Sequence, residues 1–374
     1  WQQFWRILLP NMRGTIMFLL IVQSMWSIKV FDSIYVLTGG SGGPAEATTT
    51  VNFLAYLTTF SYLDRGYGAA MSLALSSPSW RCSGSWSSAA RVRSERMEGI
   101  KRSWWGTLIH RVLVVLLCIY LVLPFVWMVV YSIYPSQNLR AIPMDLNPAA
   151  ITFDSYRSLL TDQAFLTSML NSLIVGAATT ALCMLLGSLC AYVLARFRFR
   201  GSQGLLLAMM TVQAVPAIVL AVPLFVLLRG MGLFDTRIGL ILTYTAFILP
   251  LVIWMMVSFF NSIPVNLEKA ARVDGCSRIG IFRRVVLPLS GPGFTATAIF
   301  AFITAWSDFF LAKVLTGTKT PMLPVTTASF QGLFAMDYTR AATAGVITAL
   351  PVLLLALLAQ KWIVQGITEG AVKG

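Results

Sequence analysis

The chain has 374 residues, of which 57% are hydrophobic and only 11% are charged, and its mean hydropathy is +0.75. Roughly 25% of residues are charged in soluble domains, so this composition excludes an ordinary soluble protein and indicates an integral membrane protein. The net charge of +14 lies largely in Arg and Lys at the ends of apolar runs, where membrane orientation and anionic lipid account for it. We therefore expect membrane lipid as a partner and no nucleic acid.

Cysteine and histidine indicate neither a metal site nor a disulfide framework. The five cysteines include no Cys-x-x-Cys pair, and three of them lie in apolar runs, where a thiol behaves as a small hydrophobe. The single histidine, His110, stands beside Arg111 at the start of an apolar run, which predicts interfacial anchoring. The sequence opens on WQQFWR, without an initiator Met and without a recognisable cleavable signal peptide.

Residues 1–75 repeat part of the later chain in one fixed register. Pro10 lies 278 positions before Pro288, and the run from Thr15 to Leu37 is apolar enough to span a membrane. The same register also pairs Phe4 with Phe282, Arg6 with Arg284, Ile7 with Val285, Leu9 with Leu287, and Val36-Leu37-Thr38-Gly39 with Val314-Leu315-Thr316-Gly317. Chance seldom holds a register over such a distance, so we interpret this part as a partial repeat.

The segment 76–96 separates this repeat from the rest of the chain. A span needs about 20 apolar residues, and the one that opens at Gly68 stops after Leu75. The following sequence, SSPSWRCSGSWSSAARVRSER, has the composition of a linker or a disordered stretch. A shifted reading frame in GC-rich DNA and a native low-complexity linker both explain such a composition.

From Met97 onward the sequence predicts a complete unit of six membrane spans. Lys and Arg precede the first span, which places that end in the cytoplasm by the positive-inside rule. By counting, both ends of the 97–374 unit are then cytoplasmic, and residues 134–166 are external. The predicted spans are Val112–Ile133, Met169–Ala195, Leu205–Leu228, Ile238–Phe259, Phe294–Val314 and Ala341–Ile363.

A polar interruption between the fourth and fifth spans, Asn261–Gly293, predicts two short helices around a glycine; we call it the hairpin. Gly275 stands where a left-handed residue ends the first helix, and Ser277 can cap the second. In the first helix we expect Leu267, Ala270 and Ala271 to form a narrow face, with Glu268, Lys269 and Arg272 off it. In the second we expect an apolar face made by Ile279, Phe282, Val285 and Val286, opposite Arg278, Arg283 and Arg284.

Residues 269–288 resemble the EAA loop of binding-protein-dependent ATP-binding-cassette (ABC) importers, a pattern of Glu-Ala-Ala, three residues, Gly, nine residues and Ile-x-Leu-Pro. The matching positions are Ala270, Ala271, Gly275, Leu287 and Pro288, with Val285 standing for the Ile and Asp274 preceding the Gly as in sugar permeases. Lys269 departs from the motif by occupying its Glu position, while Glu268 lies one residue earlier. A solvated helical hairpin between two spans is the alternative interpretation.

The resemblance implies an all-α, six-helix type I importer bundle, with a transmembrane core at about 167–363, plus a partial N-terminal repeat. It identifies 97–374 as a maltose-type second permease subunit and 1–75 as a C-terminal fragment of the partner permease, joined by 76–96. In this family the loop docks on an ATP-binding subunit. The implied partners are a dimer of such subunits, a second permease subunit and an extracytoplasmic sugar-binding protein, in the bacterial inner membrane.

Two residues of the fifth span are candidates for the substrate pathway. Asp308 would cost roughly 2.5–3.5 kcal/mol as an ionised carboxylate within a membrane, so it should face a pathway or a partner unless it lies near the hydrated interface. Trp306 could stack on a sugar ring, although packing is the more common role of an aromatic side chain in a span. The resemblance supports the pathway role, because sugar permeases often carry Trp-Asn-Asp here and this chain has Ser307 in place of the Asn.

The sequence contains no Walker lysine loop, catalytic triad or metal-ligand spacing. We therefore expect a pathway and not an enzyme, with no cofactor or metal on this chain and ATP bound by partner subunits. A secondary transporter of small polar solutes, an ABC importer for a non-sugar solute and a membrane enzyme such as a lipid-linked glycosyltransferase are the alternatives. The first should carry more acidic or histidine relays within its spans, and the last should carry clustered acids on a polar loop.

Overall fold

The structure is a computed structural model that describes residues 27, 30–64, 66–74, 104–142, 144–197, 199–330 and 337–371. Helix is the regular structure that these residues form, as expected for an all-α protein. The predicted junction 76–96 and most of the predicted span Thr15–Leu37 lie outside the described residues. The helices are α1 Asp32–Leu37, α2 Val51–Tyr56, α3 Trp104–Ile133, α4 Ser136–Arg140, α5 Asp154–Thr161, α6 Gln163–Arg196, α7 Ser202–Ala214, α8 Ala217–Gly230, α9 Arg237–Ser262, α10 Val265–Val273, α11 Arg278–Ile281, α12 Gly291–Ser307, α13 Phe310–Leu315, α14 Leu323–Ser329 and α15 Tyr338–Ala371.

Side chains that accept a backbone hydrogen bond start several of these helices. Thr236 caps α9 by accepting from the amide of Gly239 at 3.1 Å, and Thr50 caps α2 by accepting from Phe53 at 3.3 Å. Asp162 lies just before α6 and accepts from the amide of Ala164 at 2.9 Å. Such caps satisfy donors that the first turn of a helix leaves without partners.

The chain divides into two compact units, the first formed by 1–92, 167–325 and 352–374. Helix α9 is the centre of this unit, since it packs against both α12 and α7 while α8 packs against α13. Its side chains Tyr244, Ile253, Met256 and Phe260 are fully buried. The described part of the N-terminal repeat belongs to this same unit, and α2 contacts α8.

The second unit is formed by 93–166 and 326–351 and is held by polar contacts as well as packing. Ser132 and Tyr156 share a hydrogen bond of 2.7 Å between their hydroxyl oxygens. Thr339 donates to the carbonyl of Tyr134 at 2.6 Å. Arg340 forms an ion pair with Asp162 across 2.5 Å.

Within the described residues, four helical segments are long and apolar enough to cross a membrane: Arg111–Ile133, Gln163–Arg196, Arg237–Ser262 and Tyr338–Leu358. The first three segments contain the predicted first, second and fourth spans. The last segment overlaps most of the predicted sixth span, Ala341–Ile363. The backbone of α15 is helical from Tyr338 as far as Ala371.

The third and fifth predicted spans are each two helices instead of one, which corrects their expected continuity. The third is broken at Pro216, which has an extended ψ of 137° and separates α7 from α8. Proline lacks the N–H that a continuing helix needs and disfavours helical geometry in the residue before it. The fifth ends as α12 at Ser307 and resumes as α13 after Asp308, whose ψ is 116°.

Candidate functional site

The turn at Gly275 holds the two short helices of the hairpin at a fixed angle. Gly275 has a φ of +85°, and its amide donates to the carbonyl of Arg272 at 3.1 Å. The amide of Cys276 donates to Ala271 at 3.0 Å, which completes a Schellman motif. Ser277 then caps α11 by accepting from the amide of Gly280 at 3.1 Å. The predicted left-handed residue and the predicted cap are therefore both present.

The faces of the hairpin differ from the expectation at several positions. Glu268 was expected off the narrow face but is buried together with Ala271, while Leu267 and Ala270 are exposed. In the second helix Ile279 is 68% exposed, and its expected place against the rest of the unit is taken by buried Ile281. A π-helical turn follows at Phe282–Val286, and it changes which of the later side chains of the hairpin share a face.

A buried ion pair ties the hairpin to the end of α6. Arg196 donates through Nε to Oε1 of Glu268, and the two side chains are 9% and 7% exposed. Tyr192 donates to Oε2 of Glu268 at 3.0 Å, and Nη2 of Arg196 donates to the carbonyl of Ile263 at 3.1 Å. The ring of Tyr192 also lies 5.1 Å from that of Phe282. The carboxylate next to the expected motif position thus anchors the hairpin.

The opposite side of the hairpin is open and carries both apolar and basic side chains. Leu267, Val273 and Ile279 are 44%, 88% and 68% exposed. Lys269 and Asp274 are exposed as well. The other exposed basic side chains of the hairpin are Arg272, Arg278, Arg283 and Arg284. This surface can therefore receive a partner without any change to the buried face.

At the end of the motif, Leu287 and Pro288 open the short helix Leu287–Leu289 that follows the π-helical turn. Val285 is half-buried and Pro288 is exposed, so these two positions differ in their surroundings. The helices of this region turn sharply, since the segment Arg278–Leu289 and α12 are bent by 80°. The motif residues are thus gathered in one hairpin, whereas Asp308 lies at the other end of α12.

Asp308 caps α13 at the break in the fifth predicted span. Its Oδ1 accepts from the amides of Leu311 and Ala312 at 3.0 and 3.3 Å, and from the hydroxyl of Tyr244 at 3.2 Å. The side chain is half-buried. These contacts give the carboxylate a structural role, and its role in a pathway stays a prediction.

Trp306 is 3% exposed and lies 5.7 Å from the ring of Phe302 in a stacked arrangement. In this conformation the indole packs within the first unit. Contact with a sugar therefore stays a prediction that would need the surroundings of Trp306 to open.

A second polar constellation, absent from the sequence-based expectations, lies at the end of α9 opposite the hairpin. Asp235 accepts from the amides of Gly317, Lys319 and Thr320 at 2.8, 3.0 and 2.9 Å. Thr320 donates its hydroxyl back to the carbonyl of Asp235 at 2.9 Å. We call these contacts the Asp235 clamp, because they hold the loop after α13 against the start of α9.

The electrostatics of the clamp favour an ionised carboxylate. Burial acts to raise the pKa of Asp235, but the three backbone amides and the positive charge of Lys319 outweigh it, so the pKa lies below its ordinary value. Asp235 has a φ of +55°, which is uncommon for a residue other than glycine. A Cβ on Gly317 would lie 2.8 Å from Oδ2 of Asp235, so the clamp depends on a glycine there.

Further polar contacts extend the clamp to α6. Asn171 donates to the carbonyl of Pro321 at 2.9 Å and accepts from Nε of Arg237 at 2.8 Å. The hydroxyl of Ser172 accepts from the amide of Leu323 at 2.8 Å. The sequence signal for this site was the pair Asp235-Thr236 directly before α9, which is typical of a helix cap. Its partners lie more than 60 positions away, so local sequence patterns could not identify them.

Comparison with known proteins places these features in a family. Residues 183–369 match the family described as "Binding-protein-dependent transport system inner membrane component". The trehalose transport system permease protein SugB of Mycobacterium tuberculosis is 39% identical over 258 residues, which are 68% of this chain and 93% of that protein. The diacetylchitobiose uptake system permease protein DasC of Streptomyces coelicolor is 33% identical over 276 residues, which are 74% of this chain and all of that protein.

Solved structures support the same fold. A bacterial ABC transporter involved in the import of the acidic polysaccharide alginate matches 70% of this chain and 99% of its own, with a TM-score of 0.57 and 24% identity. A second structure, of a bacterial alginate ABC transporter in complex with an alginate pentasaccharide-bound periplasmic protein, has a TM-score of 0.54 and 17% identity over 70% of this chain and 94% of its own.

Proposed function

This chain belongs to the inner membrane components of binding-protein-dependent transport systems, and on that premise we propose that it is the sugar-conducting subunit of an ABC importer. Membership makes it a multi-pass inner membrane protein and a transport component, not an enzyme. The cytoplasmic position of both ends of residues 97–374 is part of the proposal and follows from the positive-inside rule.

The hairpin is the observation that carries the proposal. One side is fixed to the membrane unit by the buried Arg196–Glu268 pair, and the other exposes Leu267, Val273 and Ile279. Exposed apolar side chains within a polar surface are typical of a site for a protein partner. We assign this surface to an ATP-binding subunit, with Ala270, Ala271, Gly275 and Pro288 as the motif residues that shape it. Lys269 then presents a cation where the motif has an acid.

Transport follows from this attachment. Closure of two ATP-binding subunits on ATP would move the hairpin, and the Arg196–Glu268 pair would pass that movement to α6. The bundle would then face outward and receive sugar from an external binding protein, and hydrolysis would reset it. This cycle needs the ATP-binding dimer, a second permease subunit and the binding protein as partners.

The substrate class is supported by the sugars that the relatives transport. SugB and DasC are a trehalose permease and a diacetylchitobiose permease, and the trehalose/maltose permease MalG of Thermococcus litoralis is 32% identical over 271 residues, 71% of this chain and 96% of that protein. All three names specify disaccharides. We therefore propose a disaccharide or a short oligosaccharide as the substrate. Asp308 and Trp306 are the proposed pathway residues, with the carboxylate able to accept from sugar hydroxyls.

We also propose that residues 1–75 are a fragment of a partner-type permease joined by 76–96 to the permease of residues 97–374. A relative matched over its whole length accounts for 74% of this chain, which leaves room for an additional segment. Expression of residues 97–374 with the partner subunits tests this division. Transport at the full-chain level is expected, and loss of transport at normal membrane abundance would contradict it.

The test of the sugar assignment is uptake by cells that lack this gene. Labelled trehalose, maltose, diacetylchitobiose, glycerol phosphate and an amino acid are supplied in parallel, with the gene restored as the control. Loss of one disaccharide with unchanged amino-acid uptake is expected. Unchanged uptake of every sugar together with loss of a non-sugar solute would replace the substrate class while leaving the importer assignment in place.

A further inference from the structure

We propose that residues 30–62, called here the N-terminal segment, dock within their own chain on the surface that a second permease subunit would use. This inference rests on the proposed function, since it takes a second permease as a partner of the importer. The docked surface consists of α8 and the residues 309–313 around the start of α13. All of these residues belong to the first compact unit.

Aromatic rings make the contact. Phe31 lies 4.8 Å from Phe310 in an edge-to-face arrangement, and Tyr35 lies 5.4 Å from Phe309. Further along, Phe60 lies 6.4 Å from Phe225 of α8, again edge to face. Pairs of this kind add stability beyond the burial of their area. The contact therefore has the composition of a specific interface.

Burial supports the same conclusion. Phe53 is fully buried within the segment's own ring cluster, and Phe31 is 3% exposed while it contacts Phe310. Phe53 lies 5.7 Å from Phe31 and 6.3 Å from Tyr35, so the rings of the segment form one cluster beneath it. On the outer side, Leu37 is 75% exposed. The segment thus has an inner apolar face turned towards the permease unit and an outer face turned away.

The repeat register shows what kind of interface this is. The spacing of 278 positions that relates the repeats makes Tyr35 the equivalent of Lys313 and Phe31 the equivalent of Phe309. Nζ of Lys313 lies 5.6 Å from the centre of the Tyr35 ring, so two equivalent positions touch each other. Contact between equivalent positions is the property of an interface around a two-fold axis, in which each partner uses the same patch.

A patch of this kind can hold one occupant at a time. Two complete permease units related in the same way would place their 309–313 segments against each other, at the position that the N-terminal segment fills. The N-terminal segment and a second permease therefore compete for this part of the surface, and the second permease that transport requires must displace the segment to bind there. The sequence register relates the N-terminal segment to a permease, and the proposed function makes it part of a partner-type fragment. Its contacts lie on the surface where that partner would bind.

Cross-linking in the full chain tests the docking. In a background without the five native cysteines, Tyr35→Cys is combined with Lys313→Cys and treated with a short bifunctional maleimide. The expected product is a cross-link within one chain, identified by its monomer mobility and by mass spectrometry of the linked peptides. The matched control combines Leu37→Cys with Lys313→Cys, which should link at least about tenfold less because Leu37 points away.

A second measurement tests whether the segment covers the patch. The rate at which a maleimide labels Lys313→Cys is compared in the full chain with and without Phe31→Ala, at matched abundance. Loss of a buried ring should loosen docking and raise the rate roughly tenfold or more. Cross-links between two chains, or no cross-link, would overturn docking within the chain, and equal labelling rates would overturn coverage. Neither readout involves ATP or sugar, so their failure would leave the importer assignment intact.

Discussion

Replacement of Glu268 by alanine should release the hairpin from α6. The Arg196 side chain is only 9% exposed in the pair, and the change removes the carboxylate from its guanidinium and leaves the carbonyl of Ile263 as an acceptor. Breaking one side of a buried ion pair costs about 3–5 kcal/mol. Since each 1.4 kcal/mol is a factor of ten, local opening of the hairpin should become roughly 100- to 4,000-fold more frequent.

Hydrogen exchange followed by mass spectrometry measures that opening without any partner subunit. Amides of Val265–Phe282 should exchange faster by this factor in Glu268→Ala, while amides of α9 change little. Asp274→Ala is the matched control, because Asp274 is an exposed carboxylate on the same hairpin and its loss should alter exchange by no more than about twofold. The double variant Glu268→Met with Arg196→Met should return much of the protection, since apolar side chains often replace a buried pair at little cost.

The reasoning would be refuted if Glu268→Ala left hairpin exchange within about threefold of the wild type. It would also be refuted if the double methionine variant exchanged faster than the single alanine variant. The first result would mean that apolar contacts of Ile281 and Phe282 hold the hairpin without the ion pair. The second would mean that the two charges act independently, because coupled partners must show an interaction energy in a double-mutant cycle.

Three further substitutions test the remaining sites. Gly275→Val should abolish sugar uptake at normal membrane abundance, because a β-branched side chain is strained at the φ of +85° found there. The control is Gly201→Val, since Gly201 is equally open and has a φ of +98° but lies in a turn outside the hairpin, so this variant should retain uptake. Equal losses of uptake in the two variants would contradict the docking role of the hairpin. Asp308→Asn keeps an oxygen that accepts from the α13 amides, so assembly with partner subunits, measured by co-purification, should stay near the wild-type level. Sugar uptake should fall, and a normal uptake rate would exclude the pathway role of Asp308. The pKa of Asp235 is lowered, so its ionised form contributes stability at every pH above the ordinary Asp pKa of about 3.9. That stability is lost only as the pH falls below this ordinary pKa and through the lowered one. The ratio of wild-type to Asp235→Asn uptake should thus be constant from about pH 5 to 8, and a change within that range would contradict the assigned ionisation.

Local sequence was enough to predict the hairpin and its turn. The left-handed position of Gly275 and the cap at Ser277 depend on neighbours within a few residues, and both are present. Four of the predicted spans coincide closely with long helices, because about 20 consecutive apolar residues have few alternatives to a membrane helix. Family membership was likewise expected from spaced motif positions and is confirmed.

Long-range polar partners could not be predicted in the same way. Glu268 was assigned to an open face because its helix was considered alone, whereas Arg196, which buries it, comes 72 positions earlier. Asp235 binds amides 82 to 85 positions later, and an amide carries no sequence signal at all. The breaks at Pro216 and Asp308 were missed for a related reason, since hydropathy averages over a window and does not detect where helical hydrogen bonding stops.

The two anchors lie at opposite ends of one buried helix, and this arrangement bears on how movement crosses the unit. Helix α9 has 26 residues and is about 39 Å long. The Asp235 clamp adjoins its first residue, and Arg196 reaches the carbonyl of Ile263, which follows its last. Displacement of a packed helix as one body would carry movement of the hairpin to the clamp through α9, without a chain of separate side-chain rearrangements. Pro250 is the place within α9 where an N–H to carbonyl bond is missing, and bending there would let the two ends move by different amounts.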